Sequence, residues 1–142
     1  MELKISNDEL IELYQGCREL LTIEDLETLF SFRVSSIIEK VTPSIKAYST
    51  TRDTLDAKYL TIEVKEDGKV IGKRTESHLA TEYVAKVQTL LGAGITLHVP
   101  LLSMKSLYNM REEKGLKIEA ATLHNIRKII AQDMEIEGDN EN

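Results

Sequence analysis

Residues 23–59, IEDLETLFSFRVSSIIEKVTPSIKAYSTTRDTLDAKY, carry the strongest structural signal in the chain. Apolar side chains recur every three or four positions through this stretch, which is the spacing of one face of an α-helix. The pattern therefore predicts a long amphipathic helix that organises the molecule. Its apolar stripe consists of Ile23, Leu26, Phe30, Val34, Ile37, Val41, Ile45, Tyr48, Leu55 and Tyr59.

Pro43 lies inside this pattern. An interior proline removes one backbone hydrogen bond and clashes with the preceding turn, at a cost of about 3 kcal/mol. Either the helix kinks at Pro43, or Thr42 caps a second helix that has Pro43 at its first position. The stripe keeps its register across Pro43, which favours a kinked or closely stacked pair over a linker. If the helix breaks, residues 49–51 are the expected place.

The segment that follows, EDGKVIGKRT at residues 66–75, contains glycines and a lysine that resemble a phosphate-binding loop. A Walker loop needs four residues between its glycines and then Lys followed by Ser or Thr. Here three residues separate the glycines, and Arg74 follows the lysine. Because β-rich runs flank Asp67 and Gly68, a pair preferred in tight turns, the sequence predicts a β-hairpin over residues 60–74.

The predicted hairpin has two further features. Its two-residue turn places Val64 opposite Ile71. A third strand, in which Ile95, Leu97 and Val99 alternate with polar residues, is expected to join it, because a lone hairpin is marginal in water.

Helix boundaries are predicted from capping residues. Ser6 and Glu9 have the spacing of a capping box, which predicts that a helix begins after Ser6. A later helix is expected to start at Thr75 or Ser77 and to stop at Gly92. Ser103 opens a short helix that closes at Gly115, and a last helix starts near Glu119 and extends through Ile130. The predicted fold class is α+β, with the helices packed on a small antiparallel sheet that contains the hairpin.

Composition and charge limit the function. The 142 residues carry a formal charge of −6, and residues 134–142 hold four acids and no base. We expect one globular domain over residues 1–133, followed by an acidic, disordered tail. The body is nearly neutral, so we expect no nucleic-acid or membrane binding. No apolar run is long enough to span a bilayer and the N-terminus is not a leader, which predicts a cytoplasmic protein.

Residues with catalytic chemistry are scattered. His78, His98 and His124 have no metal-site spacing, and no serine lies in a nucleophile elbow. The only cysteine, Cys17, falls on the apolar face of the first predicted helix and is expected to be a small core residue. We predict no cofactor, no metal and no enzymatic activity.

Four basic residues are the candidate ligand-binding set: Arg52, Lys73, Arg74 and His98. Arg52, like Arg33, lies in or beside the apolar stripe, where its stem can pack while its head reaches water or an acid. Lys69, Lys73 and Arg74, together with His98 on a neighbouring strand, could form a small basic spot that holds an anion such as a nucleotide. The structural alternative is a solvated strand edge whose lysines deter strand pairing.

Taken end to end, the chain resembles small proteins of unknown function encoded by tailed phages and prophages of Gram-positive bacteria. The resemblance is carried by LKISNDEL, FSFRVSSIIEK, RDTLDAKY and the hairpin EDGK, and it covers most of residues 1–133. It implies a phage accessory role in the host cytoplasm and transfers no site residue. Pro43 and the acidic tail depart from the pattern.

The leading functional hypothesis is a phage accessory protein that binds a macromolecular partner, either a virion assembly component or a host factor. Self-association is a further expectation, because residues 23–59 can present more apolar surface than one small sheet covers. The alternative is a protein that sequesters a small anionic, nucleotide-like signal in counter-defence. A concave pocket lined by the four basic residues would favour that alternative.

Overall fold

The computed structural model describes residues 2–131 and confirms the α+β class. Residues 134–142, predicted to form a disordered tail, lie outside the described residues, as do residues 132 and 133. Single 3-10 turns lie at Ser77–Leu79 and Arg127–Ile129. The other elements, in chain order, are β1 (Glu2–Ser6), α1 (Asn7–Leu21), α2 (Thr28–Tyr59), β2 (Ile62–Glu66), β3 (Lys69–Arg74), α3 (Ala80–Gly92), β4 (Gly94–His98), β5 (Leu102–Ser103), α4 (Met104–Lys114), α5 (Ala120–Asn125) and β6 (Ile130–Ala131).

Helix α1 begins at the predicted capping box. The backbone N–H of Glu9 donates to the Ser6 hydroxyl at 3.2 Å, and the backbone N–H of Ser6 donates to the Glu9 carboxylate at 3.2 Å. These two bonds satisfy backbone donors that the first turn of a helix leaves unpaired. They fix the register in which the apolar face of α1 meets the core, which buries Leu10, Leu13, Cys17 and Leu20.

The capping box gives a pH-dependent prediction. The backbone hydrogen bond from Ser6 and the contact with Lys128 hold the pKa of Glu9 below its usual value of 4.5. The stability that the Glu9 carboxylate contributes is therefore present above pH 4.5 and is lost as the pH falls through the lowered pKa. We expect Ser6→Ala to lower the free energy of unfolding by about 1 kcal/mol. Glu9→Gln should cost stability at pH 7, and the difference from wild type should shrink at pH 3.

Urea unfolding followed by circular dichroism at both pH values measures these costs. Ser35→Ala is the control. Ser35 is an exposed residue inside α2, so this substitution is expected to cause no loss in the free energy of unfolding. A Glu9→Gln deficit that stays constant between pH 7 and pH 3 would contradict the charge-dependent cap.

Helix α2 runs unbroken through Pro43 to Tyr59, a length of 32 residues. Thr42 therefore does not cap a second helix; it lies within the helix, and its hydroxyl donates to the Ile38 carbonyl at 2.6 Å. Residues 49–51 are helical as well. The sequence pattern placed the start of α2 too early in the chain. The helix begins at Thr28, and the first two residues of the stripe lie in the connection that precedes it. Both still pack, partly buried, against the core: Ile23 and Leu26.

The strands form three separate pairs among the described residues. β1 pairs with β4 in antiparallel order, β2 pairs with β3, and β5 pairs with β6 in parallel. The prediction that the strand at residues 95–99 joins the hairpin is therefore wrong. The physical reason is burial: β1 offers Leu3 and Ile5, which are buried beside Leu97 of β4, whereas every residue of β3 is exposed.

The hairpin itself is confirmed. Asp67 and Gly68 have φ angles of 53° and 78°, so both central residues of the turn adopt the left-handed conformation that a tight hairpin needs. The ladder shifts between Val64 and Lys65, so that Val64 pairs with Gly72. The predicted pairing of Val64 with Ile71 is wrong because this β-bulge inserts one extra residue into β3.

The later helix boundaries are confirmed in part. The Ser103 hydroxyl accepts the backbone N–H of Ser106 at 3.0 Å and caps α4, and Gly115, with a φ of 64°, ends it. Thr75 and Ser77 do not cap the next helix, because the 3-10 turn before α3 follows Glu76 without a side-chain cap. The last helix is shorter than predicted, since α5 ends at Asn125 and a 3-10 turn continues to Ile129.

The core lies where α1 packs between the first half of α2 and α5. Gly16 of α1 lies close against the end of α5: a Cβ at this position would lie 2.8 Å from Asn125 Cβ and 2.8 Å from Ile126 Cγ2. A larger residue would therefore separate α1 from α5. The buried apolar side chains of the cluster are Leu3, Ile5, Leu10, Leu13, Cys17, Leu20, Phe30, Val34, Ile37, Val41, Leu97, Val99, Leu102, Leu107, Met110, Leu116, Ile126 and Ile129.

Candidate functional site

The outer face of α2 exposes two large apolar side chains near the start of the helix. Phe32 is 68% exposed and Leu29 is 54% exposed. Residues three apart on a helix are neighbours, so these two side chains adjoin each other one turn apart. We call Leu29 and Phe32 the α2 outer patch.

The position of the patch follows from helical geometry. Successive residues turn by about 100°, so Phe32 points away from the stripe that Phe30, Val34 and Ile37 direct into the core. The stripe residues are buried while Phe32 is not, as this geometry requires. Sequence reasoning followed the stripe and missed the patch. The available signal was two large apolar residues at positions that the helical period assigns to solvent.

Arg52 lies in a polar cluster that links α2 to α3. Its Nε donates to Asp56 Oδ1 at 3.1 Å, and its two terminal nitrogens donate to the hydroxyls of Tyr48 at 3.2 Å and Tyr83 at 3.4 Å. The Tyr83 hydroxyl donates in turn to Asp56 Oδ1 at 2.6 Å. The ring of Tyr83 also packs near Tyr59, with centroids 5.8 Å apart. We call Tyr48, Arg52, Asp56 and Tyr83 the Arg52 cluster.

The contacts within this cluster favour a charged Arg52 and a protonated Tyr83. The hydrogen bonds to Tyr48 and Tyr83 and the adjacent Asp56 raise the pKa of Arg52 above its usual value, against the effect of burial. The hydrogen bond to Asp56, followed by burial, raises the pKa of Tyr83. Three of the five N–H groups of Arg52 are directed to partners within the chain. The guanidinium thus fastens α3 to the second half of α2.

The other three predicted site residues lie apart from Arg52. Lys73 and Arg74 are exposed neighbours on β3, and Arg74 donates to the carbonyl of Thr75 at 3.1 Å. His98 ends β4, opposite Glu2. Within residues 2–131, no hydrogen bond or ion pair joins Arg52 to any of these three side chains. Anion binding by the four residues stays a prediction.

A groove does lie between α2 and α3, with a volume of about 550 Å³. Its basic side chains are Lys58 and Lys86, and threonines and aliphatic residues supply the rest of its wall. None of the four predicted basic residues lines it.

The described residues offer neither a metal site nor a membrane-spanning helix. No group of three or more His, Cys, Asp or Glu side chains in residues 2–131 is arranged to hold a metal ion. No helix within the same residues is both long enough and apolar enough to cross a membrane. Cys17 is fully buried, and burial raises the pKa of its thiol to about 12.

Comparisons of the chain with protein-family models, with curated proteins and with solved structures found no significant match.

Proposed function

We propose that this protein acts without catalysis, by binding a protein partner through the α2 outer patch. In the setting that the phage resemblance implies, the partner is a virion assembly component or a host factor in the host cytoplasm. The phage setting rests on that resemblance alone. The binding mode rests on the exposed pair of Leu29 and Phe32.

The exposure of Phe32 supports this proposal most directly. Phenylalanine is enriched at the centres of protein interfaces, where a few aromatic anchors carry most of the binding energy. The chain has only two phenylalanines; Phe30 is buried in the core, and Phe32 faces solvent one turn from an exposed leucine. The helix that carries the patch is held by the buried stripe on its opposite face, so the two anchors are presented on a rigid support. Such pre-organisation reduces the entropic cost of binding.

Substitution of the patch tests the proposal. We expect the double variant Leu29→Asp/Phe32→Asp to bind its partner at least about 30-fold more weakly, because an aromatic anchor typically contributes 2 kcal/mol or more. The measurement is a tagged pull-down from phage-infected Gram-positive cells, with the recovered proteins quantified by mass spectrometry.

Val84→Asp is the matched control, since Val84 is 50% exposed on α3 and lies outside the patch. The control should retain the partner. Equal recovery of the same partner by the double variant and by wild type would overturn the proposed surface. Circular dichroism of each variant establishes that the fold is unchanged.

The pull-down eluate and light scattering of the purified protein address the other two hypotheses. A nucleotide in the denatured eluate would support sequestration of a small anionic signal, for which the exposed pair Lys73 and Arg74 is the place to substitute. Light scattering measures self-association: a dimer that becomes a monomer in Leu29→Asp/Phe32→Asp would make a second copy of this chain the partner.

A further inference from the structure

The groove between α2 and α3 opens on the same side of α2 as the α2 outer patch. Phe32 and Thr50 are 18 residues apart, which is about five full turns of an α-helix, so their side chains leave α2 in nearly the same direction. Thr54, a further residue of the groove wall, is turned by only about 40° from Phe32. We call this cavity the α2–α3 groove. One face of a single unbroken helix therefore carries both a projecting apolar pair and a groove.

The α2–α3 groove is suited to receive apolar side chains. Its wall includes Leu55 of α2, Leu90 near the end of α3, and Ala93 just beyond it. No side chain of α3 is fully buried, so this helix leaves space along its contact with α2. The volume of about 550 Å³ lies within the range of sites that enclose a ligand, and it is large enough for one phenylalanine and one leucine side chain.

The patch cannot enter the groove of its own chain, because 22 residues of helix separate Phe32 from Thr54 by about 33 Å. An antiparallel second copy brings Phe32 of each chain opposite Thr54 of the other, with a twofold axis beside Pro43. Ser36 and Ala47, which lie on the same face between patch and groove, are small and allow the two helices to approach closely. The buried stripe is on the opposite face of α2, so the two cores point away from each other.

The charges at the two ends of this pairing are complementary. The exposed acids Glu24, Asp25 and Glu27 directly precede the patch. The lysines of the groove, Lys58 and Lys86, are exposed as well. The antiparallel arrangement places the acids of one chain beside the lysines of the other, and the twofold axis repeats this contact. Such complementarity fixes the register of an interface more than it adds affinity.

We propose that two copies of the chain pair through antiparallel α2 helices, with Leu29 and Phe32 of each copy in the α2–α3 groove of the other. This inference rests on the proposed function, since it uses the same patch, and it makes a second copy the occupant of that patch in the free protein. A virion or host protein that binds the patch then has to displace the second copy.

Sedimentation equilibrium of the purified full chain tests the dimer. Thr54→Arg places a charge in the groove at an exposed position and leaves the patch intact. We expect it to weaken dimerisation at least about tenfold, because an unpaired charge is costly to bury. Val84→Asp, which lies on α3 outside the groove, should dimerise like wild type. A wild-type protein that stays monomeric at every concentration would overturn the inference.

The groove variant also separates this inference from the proposed function. Thr54→Arg should still recover the virion or host protein in the pull-down, because its patch is unchanged, whereas Leu29→Asp/Phe32→Asp should lose both the dimer and that protein. A monomeric wild type whose patch still captures a partner would overturn the dimer alone. A dimer that persists unweakened in Leu29→Asp/Phe32→Asp would overturn the proposed contact.

Reversal of two charges tests the register. Glu27 and Lys58 are 31 residues apart, about 46 Å along α2, so they cannot meet within one chain. Glu27→Lys and Lys58→Glu should each weaken the dimer at least about fivefold, and the combined variant should return to within about twofold of wild type. The absence of this rescue would overturn the antiparallel pairing.

Disulfide trapping gives a further readout that leaves both anchors in place. Ser36 and Thr50 are 14 residues apart, about 21 Å, and a disulfide needs Cα atoms within about 7 Å, so Ser36→Cys/Thr50→Cys can link these positions only between chains. Peptide mapping should show this link forming at least about tenfold faster than in Ser36→Cys/Ser49→Cys, because Ser49 is turned about 100° away. Cys17 does not compete, since burial raises its thiol pKa to about 12. Equal rates would contradict the pairing.

Discussion

Replacing Ile37 by alanine is expected to lower the free energy of unfolding by about 2–5 kcal/mol. Ile37 is fully buried in the middle of the segment of α2 that packs against α1. The substitution removes three carbon atoms from a close-packed site and leaves a cavity that neighbouring side chains fill only in part. Because domains of this size are stable by about 5–15 kcal/mol, the loss is a large fraction of the total.

Urea unfolding followed by circular dichroism measures this cost, with Ile45→Ala as the matched control. Ile45 belongs to the same stripe and the same helix, but it is only partly buried. We expect the control to lose less than half as much stability, since the apolar area withdrawn from water is smaller. Equal losses of stability at the two positions would show that the hydrophobic core extends into the second half of α2.

Replacing Gly16 by alanine is expected to destabilise the protein by about 1–3 kcal/mol, the reverse of the usual effect in a helix. Alanine is favoured over glycine in an exposed helix interior by about 1 kcal/mol. At position 16 the added Cβ would lie 2.8 Å from side-chain atoms of both Asn125 and Ile126, and 3.4 Å from the Asn125 carbonyl carbon. Relief of these contacts requires α5 to move away from α1.

Gly92→Ala provides the control for this prediction. Gly92 is the last residue of α3, and a Cβ there would meet nothing within 4 Å. The control is expected to leave stability unchanged or slightly increased. If thermal unfolding showed Gly16→Ala to be more stable than wild type, the close packing of α1 on α5 would be wrong.

Local signals predicted the helices well. The spacing of Ser6 and Glu9 identified the start of α1, and the stripe from Phe30 to Val41 identified the buried face of α2. At Pro43 the sequence allowed a kink or a second helix, and the structure shows that the helix continues through this residue. The apolar register on both sides of Pro43 favours a kinked or closely stacked pair over a linker, and the structure has one helix there because side-chain packing can offset one lost hydrogen bond.

Strand pairing was not predictable to the same degree, because it depends on contacts between distant residues. The pairing of β1 with β4 joins residues more than 80 positions apart, and its selection reflects which strands have aliphatic side chains to bury. The bulge after Val64 could not be read from Asp67 and Gly68, since turn residues fix the register only next to the turn.

In the candidate site too, local sequence signals predict some features, whereas others depend on contacts between distant residues. The stripe placed Arg52 on α2, yet its bond to Tyr83 connects residues 31 positions apart and follows from the packing of α3 on α2. The exposure of Phe32, by contrast, was available from the helical period alone. Its sequence signal is a pair of large apolar residues opposite the stripe, Leu29 and Phe32.

The unbroken course of α2 also has a mechanical consequence. The helix is anchored in the core through Val34 and Val41, and its remaining 18 residues to Tyr59 extend about 27 Å. A tilt of about 5° about the anchor would displace that far end by about 2 Å. Any such tilt would move the Arg52 cluster and the hairpin together, because both lie on the part of the helix beyond Val41 or follow it in the chain.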